Sequence, residues 1–319
     1  MNLKEILVTT NKNNHLIDPQ LHIWGWEVPV YLFLGGLAAG ILLVAAMAIV
    51  YDKKKQLPYS YNKLALFAPI SLSIGMLALF MDLEYKLHVF RFYTTFQITS
   101  PMSWGSWILM LFYPASILLT LATIREGWPQ IYKLIKNIPL IEIIIKFSEE
   151  KIKLISYFSL PIATSLGVYT GILLSAYVAR PFWNSSLIGP IFLVSGLSTG
   201  LAFVLLFTKD SSEHHIISKI DFGVIILEIV LIGLYIISML SGAKIYHDSI
   251  HLILGGQMTT KFWVLFVGLG LFTPLILEFI ELKGKVVPKA IPALLVLFGG
   301  LIFRFIMVSA GQISTWVVR

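Results

Sequence analysis

Apolar residues in this chain gather into eight runs, each long enough to cross a bilayer and each set off by polar stretches. The first run is the plainest: Tyr31 to Tyr51 holds no charged residue and stops just short of Lys53, Lys54 and Lys55. About 20 consecutive apolar residues suffice for one helical crossing. Windowed hydropathy places the spans at roughly 28–50, 64–83, 104–124, 156–179, 185–208, 221–242, 262–281 and 290–309. They predict an all-α fold, a polytopic membrane helical bundle of eight transmembrane helices. The chain reads as a single integral membrane domain, 1–319, in two four-helix halves, about 24–180 and about 185–310. An even number of crossings leaves both termini on one side.

Small residues inside the runs predict close helix packing. Gly36-Leu-Ala-Ala-Gly40 in the first span is a small-xxx-small pattern, and Ser195-Gly-Leu-Ser-Thr-Gly200 in the fifth is a second packing motif. Pro69, Pro161 and Pro274 interrupt spans two, four and seven, and each frees a backbone carbonyl and can kink its helix. The stretch 130–153 reads as an amphipathic surface helix.

Composition adds the membrane and the orientation. Of 319 residues, 57% are hydrophobic and 13% charged, with a mean hydropathy of +0.83; soluble domains carry about 25% charged residues. The net charge of +7 sits in the loops, and it is unevenly divided. Eight Lys and Arg fall on the side of the termini, fifteen on the opposite side, and Arg304 lies inside span eight. The positive-inside rule makes the lysine-rich side cytoplasmic. Both termini then face outward, to the periplasm if the membrane is the inner membrane of a Gram-negative bacterium. With no cysteine, the chain has no disulfide framework and no cysteine-ligated zinc or iron-sulfur centre. The N-terminal stretch lacks a secretory apolar core, so no cleaved signal is expected.

The residues able to do chemistry collect on the outer side. Glu27 stands between two tryptophans, Trp24 and Trp26, and the first apolar run; Asp82 and Glu84 end span two at the same level. The three acids read either as interfacial groups solvated by water or as a proton-exchanging pocket, ionisable residues inside a membrane being rare and usually functional. Tyr169 falls in the outer third of span four, followed by Thr170 and Gly171. Arg304 must face the bundle interior with a partner; Glu228 and Glu278 are the acids within other spans. None of the seven histidines, at 15, 22, 88, 214, 215, 247 and 251, lies mid-span, which disfavours a membrane haem. His247 and His251, four apart, are suited to share a helix face.

Taken together, the motifs resemble those of the NrfD/PsrC-like membrane subunits of bacterial respiratory oxidoreductases, including polysulfide reductase. They run in order: W-G-W-E-V-P-V-Y-L-F-L-G-G-L-A-A-G at 24–40, the D-L-E to R-F-Y block at 82–93, and S-P-M-S-W-G-S-W at 100–107. Y-T-G-I-L-L-S-A at 169–176, R-P-F-W-N at 180–184, S-G-L-S-T-G at 195–200, G-G-L-I-F-R at 299–304 and G-Q at 311–312 follow. The resemblance implies a quinone site near the outer face, menaquinone being the expected substrate, in a protein with no haem or iron-sulfur cluster. It implies partners on that face: an iron-sulfur subunit with four clusters and a molybdopterin catalytic subunit, or a multihaem cytochrome in nitrite reduction. The protein itself is then not the terminal catalytic subunit. Tyr169 corresponds to the family's quinone-pocket tyrosine, and its pocket acid corresponds to Asp82 or Glu84, with Glu27 as a further polar position. Trp104 and Trp107 are expected to wall the headgroup. Arg91, Arg180 and Asn184 are expected at the site's rim, the two arginines being suited as well to a partner's acidic surface. The competing readings are a secondary transporter built on the kinked helices, which predicts solute uptake without a redox partner, and a purely structural anchor.

Overall fold

The computed structural model describes residues 24–285 and 287–314. Lys4, Lys12, His15, His22, Arg319 and the signal reading of the N-terminal stretch lie outside the described residues. Among those described, eight helices are long and apolar enough to cross a membrane. They are α1 (Glu27–Val50), α2 (Leu64–Asp82), α3 (Pro101–Gly127), α4 (Ile152–Ser175), α5 (Ile188–Phe207), α6 (Ser211–Leu240), α7 (Lys261–Leu282) and α8 (Ala290–Ile313). The protein is a multi-pass membrane protein with a helical-bundle fold.

The helix α1 is the axis of the bundle, packed against α2, α4, α5 and α8. Its glycines permit this. Gly36 and Gly40 meet Gly196 and Gly200 of α5 so closely that a Cβ at Gly40 or Gly200 would fall on the partner's backbone. The two small-residue motifs are therefore two halves of one crossing, held by van der Waals contact between backbones. A similar contact between Gly270 and Gly299 seats α7 on α8. By contrast, α6 and α7 are mostly exposed, with Ile226, Leu227, Val230, Leu234 and Ile237 on the outside of α6.

Two boundaries depart from the hydropathy reading. α6 starts at Ser211 rather than 221, because its first turns are too polar for the window yet still helical. The Asp210 carboxylate caps them, accepting from the Ser212 N–H at 2.8 Å. The stretch 130–153 is not one surface helix: Pro129–Ile135 and Pro139–Glu150 are separate, and the backbone then runs into α4. Pro139 has no N–H to continue the first helix and holds residue 138 extended (φ −94°, ψ 108°).

Pro161 lies inside α4, and Pro114, unremarked in the sequence reading, lies inside α3. Pro69 is in an early turn of α2, and the Ser73 hydroxyl donates to its carbonyl at 2.7 Å. Pro274 marks the point where α7, which opens as a π-helix over Lys261–Phe272, returns to α-helix.

The lysine-rich side is tied by side chains. Arg125 pairs with Glu142 at 2.6 Å and Glu149 at 2.9 Å. Glu213, fully buried at the start of α6, accepts from the Tyr59 N–H (2.8 Å), the Ser60 N–H (2.8 Å), the Ser60 hydroxyl (2.6 Å) and the Thr208 hydroxyl (3.2 Å). The carboxylate thus satisfies the first N–H groups of the short helix Pro58–Asn62, where an anion is favoured.

Candidate functional site

At the aromatic-rich end, α1, α2, α3 and α4 carry phenols and carboxyls that run from Glu27 and Asp82 at the helix ends inward to Tyr113. Glu27 opens α1, its carboxylate folded over Gly25, and Tyr31 stands one turn further on the same face. Tyr31 is 3% exposed and Tyr169 on α4 5% exposed. The phenols of Tyr169, Tyr93 and Tyr113 lie within electrostatic reach of Tyr31. Tyr113 on α3 shares a hydrogen bond with Ser73 of α2 at 3.2 Å. Burial and the neighbouring Tyr113 push the Tyr93 phenol above its ordinary range. Asp82, in the last turn of α2, lies within reach of the Glu27 charge.

Tyr169 is placed by the absence of a side chain opposite it. Its ring lies against Gly105 of α3, where any Cβ would overlap Cζ, Oη and Cε1. The neighbouring Thr170 hydroxyl is spent on the Gly167 carbonyl at 2.8 Å, which leaves Tyr169 as the polar group of that turn aimed at α3.

The structure separates the two acids that the sequence left as alternatives. Asp82 joins Glu27, whereas Glu84 lies beyond the end of α2 in a cavity of about 560 Å³, within the size range of ligand sites. Glu84, His88, Arg91, Phe92, Gln97 and Met102 are among its walls. Arg91 therefore shares a cavity with Glu84. Trp104 and Trp107 sit on the surface of α3, 39% and 37% exposed. The Trp104 indole N–H donates to the Ile98 carbonyl at 2.7 Å, and Trp107 meets Phe96 edge-on at 5.5 Å.

Arg180 and Asn184 belong to an aromatic knot beside the cluster. Trp24 stacks on Trp183 at 5.4 Å and meets Tyr177 edge-on at 5.3 Å; Tyr177 is in turn within electrostatic reach of Tyr169. The Trp183 indole covers Gly311 of α8 and donates to the Met307 carbonyl at 2.8 Å. Arg180 donates to the carbonyls of Gln312 (2.7 Å) and Ser314 (3.0 Å), tying the end of α8 to the α4–α5 connection. Gln312 exchanges two hydrogen bonds with the backbone of Trp24. Asn184 donates to the Tyr246 hydroxyl at 2.8 Å. Both residues thus have a structural task at this end of the bundle.

Tyr31, Tyr113 and Gly105 were not singled out from the sequence, whereas Tyr93 was noted there with Arg91 among the outer-face residues. The spacing of Glu27 and Tyr31 was a usable signal, as was a lone glycine between Trp104 and Trp107. Deeper in the bundle, Arg304 is brought to Glu228 through the Ser195 hydroxyl, while Glu278 lies opposite Asp221. His247 and His251 share a face of the helix Lys244–Leu254.

Comparison with known proteins finds relatives along nearly the whole chain. Residues 10–315 match the family model described as polysulphide reductase, NrfD. A polysulfide reductase polypeptide of Wolinella succinogenes is 27% identical over 304 residues, covering 91% of this protein and 94% of that one. Protein NrfD of Escherichia coli is 26% identical, covering 92% and 96%. A selenate reductase polypeptide of Mesobacillus selenatarsenatis is 28% identical, covering 91% of this protein and 74% of that one.

Proposed function

The chain belongs to the polysulphide reductase NrfD family, and we propose that it is the quinone-reactive membrane subunit of a respiratory reductase complex. It exchanges electrons between the membrane quinone pool, menaquinone by preference, and an extrinsic iron-sulfur subunit that serves a molybdopterin reductase of the polysulfide or thiosulfate type. The observation that carries this reading is a pair of buried phenols, Tyr169 and Tyr31, with Glu27 one turn from Tyr31 on α1 and Asp82 within reach of the Glu27 charge. Two-electron oxidation of a quinol to a quinone releases two protons, so groups that accept them must stand within hydrogen-bond reach of the ring oxygens. In this reading the Tyr169 phenol donates to one quinone oxygen. Asp82, paired with Glu27, takes the protons outward, and the electrons leave to the iron-sulfur partner docked on the aromatic-rich face. The complex lies in the bacterial cell membrane with both termini on the periplasmic side, as the lysine distribution favours.

The test is quinol-driven turnover of the assembled complex. Tyr169→Phe should leave the complex assembled and lower its turnover with quinol; unchanged turnover in that variant removes Tyr169 from the site.

A further inference from the structure

The lysine-rich end of the bundle, opposite the tyrosine cluster, carries a cavity of about 320 Å³. It lies where four spans end or begin. Lys63 directly precedes α2, Glu126 is in the last turn of α3, Phe207 closes α5 and Asp210 caps α6. The span ends are packed closely there. A Cβ on Gly127 of α3 would overlap the Asn62 carbonyl, and the Trp128 indole N–H donates to the Lys63 carbonyl at 3.2 Å. Just inside, the Phe67 ring of α2 meets Trp128 edge-on at 5.7 Å, Phe203 of α5 at 5.0 Å and Phe207 face-on at 6.1 Å. Tryptophan at a span end marks the membrane–water boundary, so the cavity stands at the depth of lipid headgroups. Phe207, one of its walls, is 47% exposed and gives it an apolar side.

The remaining walls carry charge of both signs. Glu126 is paired with Lys54 at 2.6 Å. Both Glu213 oxygens are occupied, by donors of the short helix Pro58–Asn62 and by the Thr208 hydroxyl. Asp210 uses Oδ1 on the Ser212 N–H, and its other oxygen has no donor among the described residues. Lys63 and Lys209, both exposed, form no ion pair among the described residues. Two ammonium groups and one half-used carboxylate are thus left around one cavity. Lysine ammonium binds phosphate oxygens as a point charge. A headgroup with negative charge alone would also meet the carboxyls of Glu126, Asp210 and Glu213 at the same mouth, which selects against it.

We propose that this cavity binds the headgroup of a phospholipid that carries a primary ammonium beside its phosphate, as phosphatidylethanolamine does. Lys63 and Lys209 donate to the phosphate oxygens, and Asp210 accepts from the ammonium. Phe207 lies beside the first carbons of the acyl chains. The bound lipid joins the ends of α2, α3, α5 and α6. This site is independent of the quinone reading, from which it is separated by the thickness of the membrane.

Native mass spectrometry of the purified full-length protein tests it, after delipidation and with equal amounts of phosphatidylethanolamine and phosphatidylglycerol on offer. The wild type should retain one phosphatidylethanolamine against the competitor. Lys63→Gln and Lys209→Gln should each weaken that retention roughly fivefold. Lys146→Gln, which changes an exposed lysine outside the cavity on the same side, should leave it unchanged. Asp210→Asn keeps a side chain that caps α6 and removes only the charge, so it should turn the preference toward phosphatidylglycerol. Equal retention of the two lipids by the wild type overturns the assignment. So does an unchanged preference in Asp210→Asn, or a loss in Lys146→Gln equal to that in Lys209→Gln. Glycerophosphoethanolamine, the same headgroup without acyl chains, and inorganic phosphate separate a lipid from a soluble phosphate. Neither should displace the bound lipid at equal concentration; displacement by either would give the cavity to a soluble ligand and overturn the lipid assignment.

Discussion

Gly105 is the position where a single methyl group tests how the tyrosine site is built. In Gly105→Ala the new Cβ occupies the space of the Tyr169 ring, overlapping three of its atoms. The ring is the end of a two-torsion side chain on a buried helix face, so it must swing away or α3 and α4 must separate. Overpacking of this kind costs about 1–3 kcal/mol, while alanine in a helix interior returns about 0.5–1 kcal/mol. Gly223 on α6 supplies the control, because nothing stands within 4 Å of a Cβ there. Gly223→Ala gains the helix term without the overlap, so thermal unfolding in detergent should separate the two variants by about 1–3 kcal/mol. If the Tyr169 phenol hydrogen-bonds the quinol, displacing it should also cost about 1 kcal/mol of binding, a roughly fivefold rise in Kd. Fluorescence titration with a quinol analogue reads this directly. Wild-type affinity and wild-type stability in Gly105→Ala would refute the idea that Gly105 sets the ring's position over a quinol.

Other positions give independent checks. Gly200→Leu should prevent folding of the detergent-solubilised protein, since its side chain would enter the backbone of α1, whereas Gly233→Leu, facing open space, should be tolerated; size-exclusion profiles distinguish them. Asp82→Asn should slow quinol turnover more than Glu84→Gln, because Asp82 lies within reach of the Glu27 charge while Glu84 lines the loop cavity; the reverse order would move the pocket acid to that cavity. Arg180→Ala should lose about 1–3 kcal/mol of stability by freeing the carbonyls of Gln312 and Ser314. Limited proteolysis should then cut first near the end of α8. Glu213→Gln places an amide among four donors and should cost a similar amount, read as a lower unfolding temperature.

The fold was legible where one physical term dominates. Eight apolar runs can only become eight crossings in a lipid solvent, and the glycine patterns at 36–40 and 196–200 announced a close helix contact. The start of α6 was not legible, because hydropathy reports transfer into lipid and says nothing of a polar helical extension capped by Asp210. The break at Pro139 was legible in principle, and the amphipathic pattern across it hid the break. At the candidate site, Tyr169, Asp82 and Glu27 were singled out because charged and phenolic groups are conspicuous at a membrane edge. Tyr31 and Gly105 were not, since they depend on which face of α1 and α3 turns inward, and one sequence of nearly uniform hydrophobicity does not fix that face. The role of Arg180 was hidden for another reason: its partners are backbone carbonyls of residues 312 and 314, which carry no side-chain signature.

The central claim is that a quinol binds beside Tyr169, and one titration tests it most directly. A fluorescent quinol analogue is added to the purified full-length protein, wild type and Tyr169→Phe, and its quenching is followed to saturation. The account predicts saturable binding near one analogue per wild-type molecule, weakened in the variant by the loss of one hydrogen bond, roughly fivefold. No saturable binding to the wild type, with the partner subunits also present, would contradict it and leave a membrane anchor or a transporter in its place.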